Sequence, residues 1–133
     1  MSPGEDRNAK LRILVIEDDD QTRRMLVQMM ARAGYDVREA QNGRVGIEKV
    51  RGETVDLVVT DILMPEQDGL ETIRDLRALF PAIPIIAISG GGHDGILDFL
   101  PVARQLGARR TFRKPTDRAA LLEAVREELA LVS

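Results

Sequence analysis

The sequence predicts an α/β domain in which five strands alternate with five helices, (βα)5, around a doubly wound parallel sheet. Three observations carry this. Apolar runs of strand length alternate with stretches whose apolar residues recur at helical spacing. Three of the runs, residues 11–16, 55–60 and 83–88, are apolar nearly throughout, as strands covered on both faces are. Each is followed by a polar residue: Glu17, Asp61 and Ser89.

The elements follow in order. Residues 1–10 are polar, carry Pro3 and Gly4, and read as a flexible tail before one domain over residues 11–131. Residues 11–16 form strand one, which stops at Glu17-Asp18-Asp19-Asp20. Residues 21–33 form a helix in which Met25, Leu26, Met29, Met30 and Ala33 fall on one face, and Gly34 ends it. Met25, Met29 and Met30 read as core filling, since methionine adapts to irregular gaps. Residues 35–40 read as strand two, 43–50 as a short helix with Val45, Ile47 and Val50, and 55–60 as strand three. Residues 66–79 form a helix with Leu70, Ile73, Leu76 and Leu79, and 83–88 form strand four. Ser89-Gly90-Gly91-Gly92 is a loop. Residues 96–106 read as a helix disturbed by Pro101, which lacks the amide a helix interior needs. Residues 109–113 form a basic fifth strand and 116–131 the last helix. Right-handed crossovers then put helices on both faces of the sheet.

Composition excludes several classes. At 133 residues the chain buries roughly two-thirds of its unfolded surface without staples. The absence of cysteine removes disulfides, thiolate metal sites and cysteine nucleophiles, and a single histidine, His93, removes sites needing two. His93 itself reads as a loop residue beside the glycines. A net charge of −3 argues against a basic nucleic-acid module, so no direct DNA binding is expected. No stretch reaches the ~18 apolar residues of a membrane span, and the start lacks the apolar core of a signal peptide. A soluble, cytoplasmic protein is expected.

In a doubly wound sheet, ligands sit beyond the carboxyl ends of the strands. Glu17 and Asp18 follow strand one, Asp61 strand three, Ser89 strand four, and Lys114-Pro115 strand five. Three acids in one pocket repel by several kcal/mol unless neutralised. A hard divalent cation does this, and all-oxygen ligation favours magnesium. A simpler reading makes Asp18, Asp19 or Asp20 the cap of the first helix; it leaves Asp61 unexplained. Ser89 as a turn cap and Lys114 as a surface charge stay open beside their functional readings. The combination fits covalent phosphoryl chemistry: Asp61 as nucleophile, Mg2+ offsetting phosphoryl charge, Ser89 donating a hydrogen bond, and Lys114 pairing as a point charge. No GxxxxGK[ST] loop is present, so a nucleotide is not the expected direct donor.

At this point the pattern resembles the receiver domain of two-component response regulators. The segments are Ile13-Leu14-Val15-Ile16-Glu17-Asp18-Asp19, Thr60-Asp61-Ile62-Leu63-Met64-Pro65, Asp68-Gly69, Ile85-Ile86-Ala87-Ile88-Ser89-Gly90 and Arg113-Lys114-Pro115. The resemblance covers about residues 10 to 131 and makes 11–131 the receiver domain. It implies a flavodoxin-like fold with strand order 2-1-3-4-5. It also implies phosphotransfer to Asp61 from a phosphohistidine on a sensor histidine kinase or phosphotransfer protein. Asp18, Asp61 and the Leu63 backbone carbonyl would bind Mg2+, with Glu17 assisting directly or through water. Ser89 and Lys114 match the family's switch hydroxyl and lysine. The chain would be a phosphoacceptor switch rather than an enzyme, signalling to a separate downstream protein, with a homodimer through the fourth helix, fifth strand and fifth helix as an option.

The chain departs from the family at three points. Thr111 stands where an aromatic switch residue is usual, and Phe112, its neighbour, faces the other way. Thr116 follows Lys-Pro where phenylalanine is common. Residues 90–104 are glycine-rich and contain Pro101. Phosphorylation is therefore expected to order residues 90–95 and shift the following helix without an aromatic flip. The basic fifth strand reads either as solvated edge charge or as a partner surface.

Rival readings are a magnesium-dependent aspartyl-phosphate phosphohydrolase, a flavin- or nucleotide-binding flavodoxin-like domain, and a receiver that no longer accepts phosphate. The first wants a second acid where Leu63 stands, and the second a phosphate loop where Glu17-Asp18-Asp19-Asp20 would repel phosphate. The last is disfavoured because all five pocket residues are present. With no DNA-binding or enzymatic domain in the sequence up to Ser133, the output is expected to pass to a separate partner, unless the chain is the receiver fragment of a larger regulator.

Overall fold

The computed structural model describes residues 10–62, 69–90 and 99–132. Among these, the elements are β1 (Arg12–Ile16), α1 (Asp20–Arg32), β2 (Asp36–Ala40), α2 (Gly43–Gly52), β3 (Leu57–Asp61), α3 (Gly69–Leu79), β4 (Ile85–Ser89), α4 (Leu100–Leu106), β5 (Arg110–Arg113) and α5 (Arg118–Val132). All strand pairs are parallel, in the order β2-β1-β3-β4-β5. This is the flavodoxin-like (βα)5 arrangement that the resemblance implied.

The core is divided by the sheet. Successive strand residues point to opposite faces, so the apolar runs fill two layers at once. Ile13, Val15, Leu57, Val59, Ile86 and Ile88 pack against Leu26 and Met30 of α1 and Leu121 and Val125 of α5. Leu14, Ile16, Val58, Ile85 and Ala87 pack on the other face against Val50, Ile73, Leu76, Leu100 and Ala103. β1, β3 and β4 are therefore buried on both sides, which explains their unbroken hydrophobicity.

Helix starts are set by short polar side chains, which accept from otherwise orphaned amides. Asp19 accepts from the Thr22 N–H at 2.8 Å, Asn42 from the Val45 N–H at 2.9 Å and Asp117 from the Ala120 N–H at 3.1 Å. Asp19 is thus the capping acid, leaving Glu17 and Asp18 for other work. After α1 the chain turns at Gly34 with φ of 103°, a region side-chain-bearing residues avoid.

Several expectations shift. β3 begins at Leu57 rather than at 55, and β4 at Ile85 rather than at 83, directly after Pro84, which offers no amide to a ladder. α5 starts at Arg118 behind the Asp117 cap, not at Thr116. Pro101 does not disturb a helix: it lies in the first turn of α4, where its missing amide costs nothing. Met30 is fully buried and Met29 packs against the core, but Met25 is 39% exposed and is not core filling. Two arginines at the start of β5 reach onto α5: Arg110 contacts Glu127 at 2.9 Å and Glu128 at 3.0 Å, and Arg109, just before the strand, contacts Glu128 at 3.3 Å. The predicted tail over residues 1–9, the start of the third helix at 66–68 and the loop of residues 91–95 lie outside the described residues, as does the early part of the fourth helix, 96–98.

Candidate functional site

The same alternation that fills the α1/α5 layer builds the site. Ile13 and Val15 of β1, Leu57 and Val59 of β3, and Phe112 of β5 all belong to that layer. Two residues further along each row stand Glu17, Asp61 and Lys114. The core rows thus end in three ionisable groups at the carboxyl edge of the sheet.

Their contacts are direct. The Lys114 ammonium donates to Glu17 Oε1 at 2.9 Å and to Asp61 Oδ2 at 3.2 Å. Glu17 and Asp61 are 1% and 5% exposed, whereas Asp18 is open to solvent. One carboxylate oxygen from each of Glu17, Asp18 and Asp61 lies within 4.8 Å of the other two. Ser89, buried, ends β4 one position beyond Ile88, which is paired with Asp61 in the sheet. Backbone bonds continue past the strands and hold these ends in place. The Glu17 N–H donates to Ala40 O at 3.0 Å, Ile62 N–H to Ile88 O at 3.0 Å, and Lys114 N–H to Ser89 O at 2.9 Å. The Lys114–Pro115 peptide is cis.

Burial pushes the Glu17 carboxyl up from 4.5 to about 7; the Lys114 hydrogen bond opposes this and the nearby Asp61 charge adds to it. Burial alone would lower the Lys114 ammonium, but its hydrogen bond to Glu17 and the Asp61 charge raise it above its ordinary value. Among the described residues, three clustered carboxyl groups thus meet the one ammonium of Lys114.

A pH prediction follows. With its folded pKa raised, Glu17 contributes most favourably below pH 4.5, and that contribution is lost as pH rises toward about 7. In metal-free buffer, Glu17→Gln is therefore expected to gain stability relative to wild type between pH 5 and pH 8, by at most about 3 kcal/mol. Denaturant melts of both proteins across that range check this. A constant difference would mean that Glu17 is ionised throughout.

The predicted residues Glu17, Asp18, Asp61 and Lys114 come together, with Ser89 on the adjoining strand end. Leu63, Met64, Pro65, Asp68 and His93 lie outside the described residues. Thr111 lines an open groove with Leu100, Pro101, Arg104 and Arg113, while Phe112 packs on the opposite face of β5. The sequence reading passed over Arg23, whose guanidinium donates to the Glu17 carbonyl at 2.8 Å. Its only sequence signal is an acid three residues earlier, Asp20, on the same helix turn. Gly69 enters the sequence pattern only as part of Asp68-Gly69; the structure adds that its backbone lies against Asp61 and Ile62.

The donor set is three carboxylates, with no thiolate or imidazole among the described residues that cluster there. Hard oxygen donors of this kind suit a hard dication, and the acidic cluster fits Mg2+. Mg2+ would add positive charge beside the Lys114 ammonium.

Comparison with known proteins agrees with this geometry. The model of the response regulator receiver domain matches residues 13–126. The response regulator receiver protein CpdR of Brucella abortus is 42% identical over 79 residues, which are 59% of this chain and 66% of that protein. A CheY-like receiver domain protein from Methanospirillum hungatei superposes with a TM-score of 0.85 at 27% identity, covering 93% of this chain and 97% of that one. The response regulator TrrA of Thermotoga maritima, in complex with Mg2+–BeF, gives 0.79 at 27% identity, covering 89% and 98%. No described helix is long and apolar enough to cross a membrane. A family match of this extent decides membership: the chain belongs to the response regulator receiver domains of two-component signalling, for which phosphotransfer and magnesium dependence are general.

Proposed function

We propose that Asp61 accepts a phosphoryl group from the phosphohistidine of a sensor histidine kinase or phosphotransfer protein. Asp61 Oδ attacks phosphorus, the imidazole N–P bond breaks, the released nitrogen takes up a proton, and an acyl phosphate forms. Glu17, Asp18, Asp61 and the Leu63 carbonyl would hold Mg2+, which would offset the charge on the phosphoryl oxygens. Lys114 exchanges its carboxylate contact for a phosphoryl oxygen, and Ser89 donates a hydrogen bond to another. The observation that carries the reading is the Lys114 ammonium, 2.9 Å from Glu17 and 3.2 Å from Asp61 in the middle of the acidic cluster.

The domain, residues 11–131, acts as a cytoplasmic phosphoacceptor switch rather than a turnover enzyme, and makes no direct contact with DNA. Its output passes through the face of α4, β5 and α5 to a downstream protein or a second copy. Thr111 in place of an aromatic residue gives that face its own character.

Beryllofluoride, a tetrahedral phosphoryl analogue, tests the reading. Fluorine NMR is expected to show a bound signal that requires Mg2+ and disappears in Asp61→Asn. A bound signal that persists in Asp61→Asn would assign the acceptor elsewhere.

A further inference from the structure

Glu17 and Asp18 are consecutive, and neighbouring residues of an extended chain send their side chains to opposite sides. For both carboxylates to converge on one cation, the peptide between them must be turned and held. Its surroundings do this. The Glu17 N–H is bound to the Ala40 carbonyl at 3.0 Å, and the Asp19 N–H donates to Glu17 Oε2 at 3.2 Å. The carbonyl of the linking peptide, Glu17 O, accepts from an Arg23 terminal nitrogen at 2.8 Å.

Arg23 is itself pinned. Its Nε donates to Glu39 Oε1 of β2 at 2.9 Å and its other terminal nitrogen to Asp20 Oδ1 of α1 at 2.6 Å. The side chain is only 15% exposed. One planar guanidinium therefore ties the β1–α1 turn, the first turn of α1 and the edge strand together. Three donors in fixed directions suit this role, and a lysine ammonium does not supply them in that geometry.

We infer that Arg23 is a positioning residue for the metal site: it locks the peptide between Glu17 and Asp18 so that both carboxylates face one cation. This rests on the magnesium reading of the acidic cluster. The sign of the effect separates positioning from plain electrostatics. Taking a positive charge away from a dication site strengthens dication binding. Releasing the clamp weakens it, and loss of such outer supports typically costs roughly 10–100-fold in metal affinity.

The test is a titration of the full chain with MgCl2, followed by amide 1H–15N shifts well below the melting temperature. Wild type, Arg23→Ala, Arg23→Lys and Arg12→Ala are compared. Arg12 holds Asp36 and Glu53 at the opposite end of the sheet, so its loss removes a comparable ion network away from the acids. Arg23→Ala is expected to bind Mg2+ about tenfold more weakly or worse. Arg23→Lys, which keeps the charge, is expected to bind several-fold more weakly, and Arg12→Ala like wild type. Arg23 variants that bind as tightly as wild type or more tightly would overturn the inference, as would an equal loss in Arg12→Ala. Absence of saturable binding in wild type itself would instead overturn the magnesium reading and take this inference with it.

Discussion

Alanine in place of Gly69 is expected to cost about 3 kcal/mol of stability, at the upper end of what overpacking does. Gly69 opens α3 and is fully packed. A methyl group there would overlap the Ile62 Cα and lie 2.5 Å from the Asp61 carbonyl oxygen. Both are backbone atoms, at the end of a strand buried on both faces, and neither has room to yield. Helix propensity pulls the other way by only ~1 kcal/mol, so the clash wins. Gly52→Ala is the matched control. Nothing lies within 4 Å of its added carbon, and it is expected to be neutral or to stabilise by up to about 1 kcal/mol. Because the clash falls on Asp61, Gly69→Ala is also expected to weaken Mg2+ binding, which Gly52→Ala leaves alone. Denaturant melts and Mg2+ titrations of the pair check both halves.

Replacing Lys114 with methionine is expected to destabilise the metal-free protein at pH 8 by about 3 kcal/mol, the scale of breaking a buried ion pair from one side. Two nearly inaccessible carboxylates, Glu17 and Asp61, then have lost their shared ammonium. Protonation of Glu17 limits the cost, since burial already holds its pKa near 7. The deficit is therefore smaller at pH 5 than at pH 8. Saturating Mg2+ restores most of it, because the dication takes over the compensation. Asp61→Asn has the opposite sign: it removes one of the two buried acids that share the Lys114 ammonium and is expected to raise metal-free stability by about 1–2 kcal/mol. If both variants lost stability equally, with and without Mg2+, the charge imbalance assigned to the site would be wrong.

Much of this architecture was legible in the sequence because its inner strands are nearly unbroken apolar runs. Residues Ile13 to Ile16 and Ile85 to Ile88 are apolar on every position, and only a strand with both faces covered tolerates that. Glu17, Asp61 and Lys114 could be assigned to one edge because parallel strands align their carboxyl ends. What stayed hidden depends on three-dimensional surroundings. Pro101 looked like a disruption because the sequence does not say which turn of the helix it occupies. Met25 shares the helical spacing of Met29, yet Met29 packs against the core and Met25 is exposed, and only the neighbours decide which methionine is covered. Arg23 is one arginine among many until Glu39, on a different strand, and the Glu17 carbonyl are seen beside it. Asp68-Gly69 stands out in the sequence only as a segment of the resemblance, whereas the constraint on Gly69 is the backbone of Asp61 and Ile62.

The central claim is that Asp61 takes up a phosphoryl group in a magnesium-dependent reaction at this cluster. The most direct measurement is intact-protein mass spectrometry after incubation with acetyl phosphate. Wild type with Mg2+ is expected to gain one phosphoryl group, lost again on mild base treatment as an acyl phosphate is, while Asp61→Asn and wild type with chelator gain none. A base-stable adduct, or equal uptake by Asp61→Asn, would contradict the account.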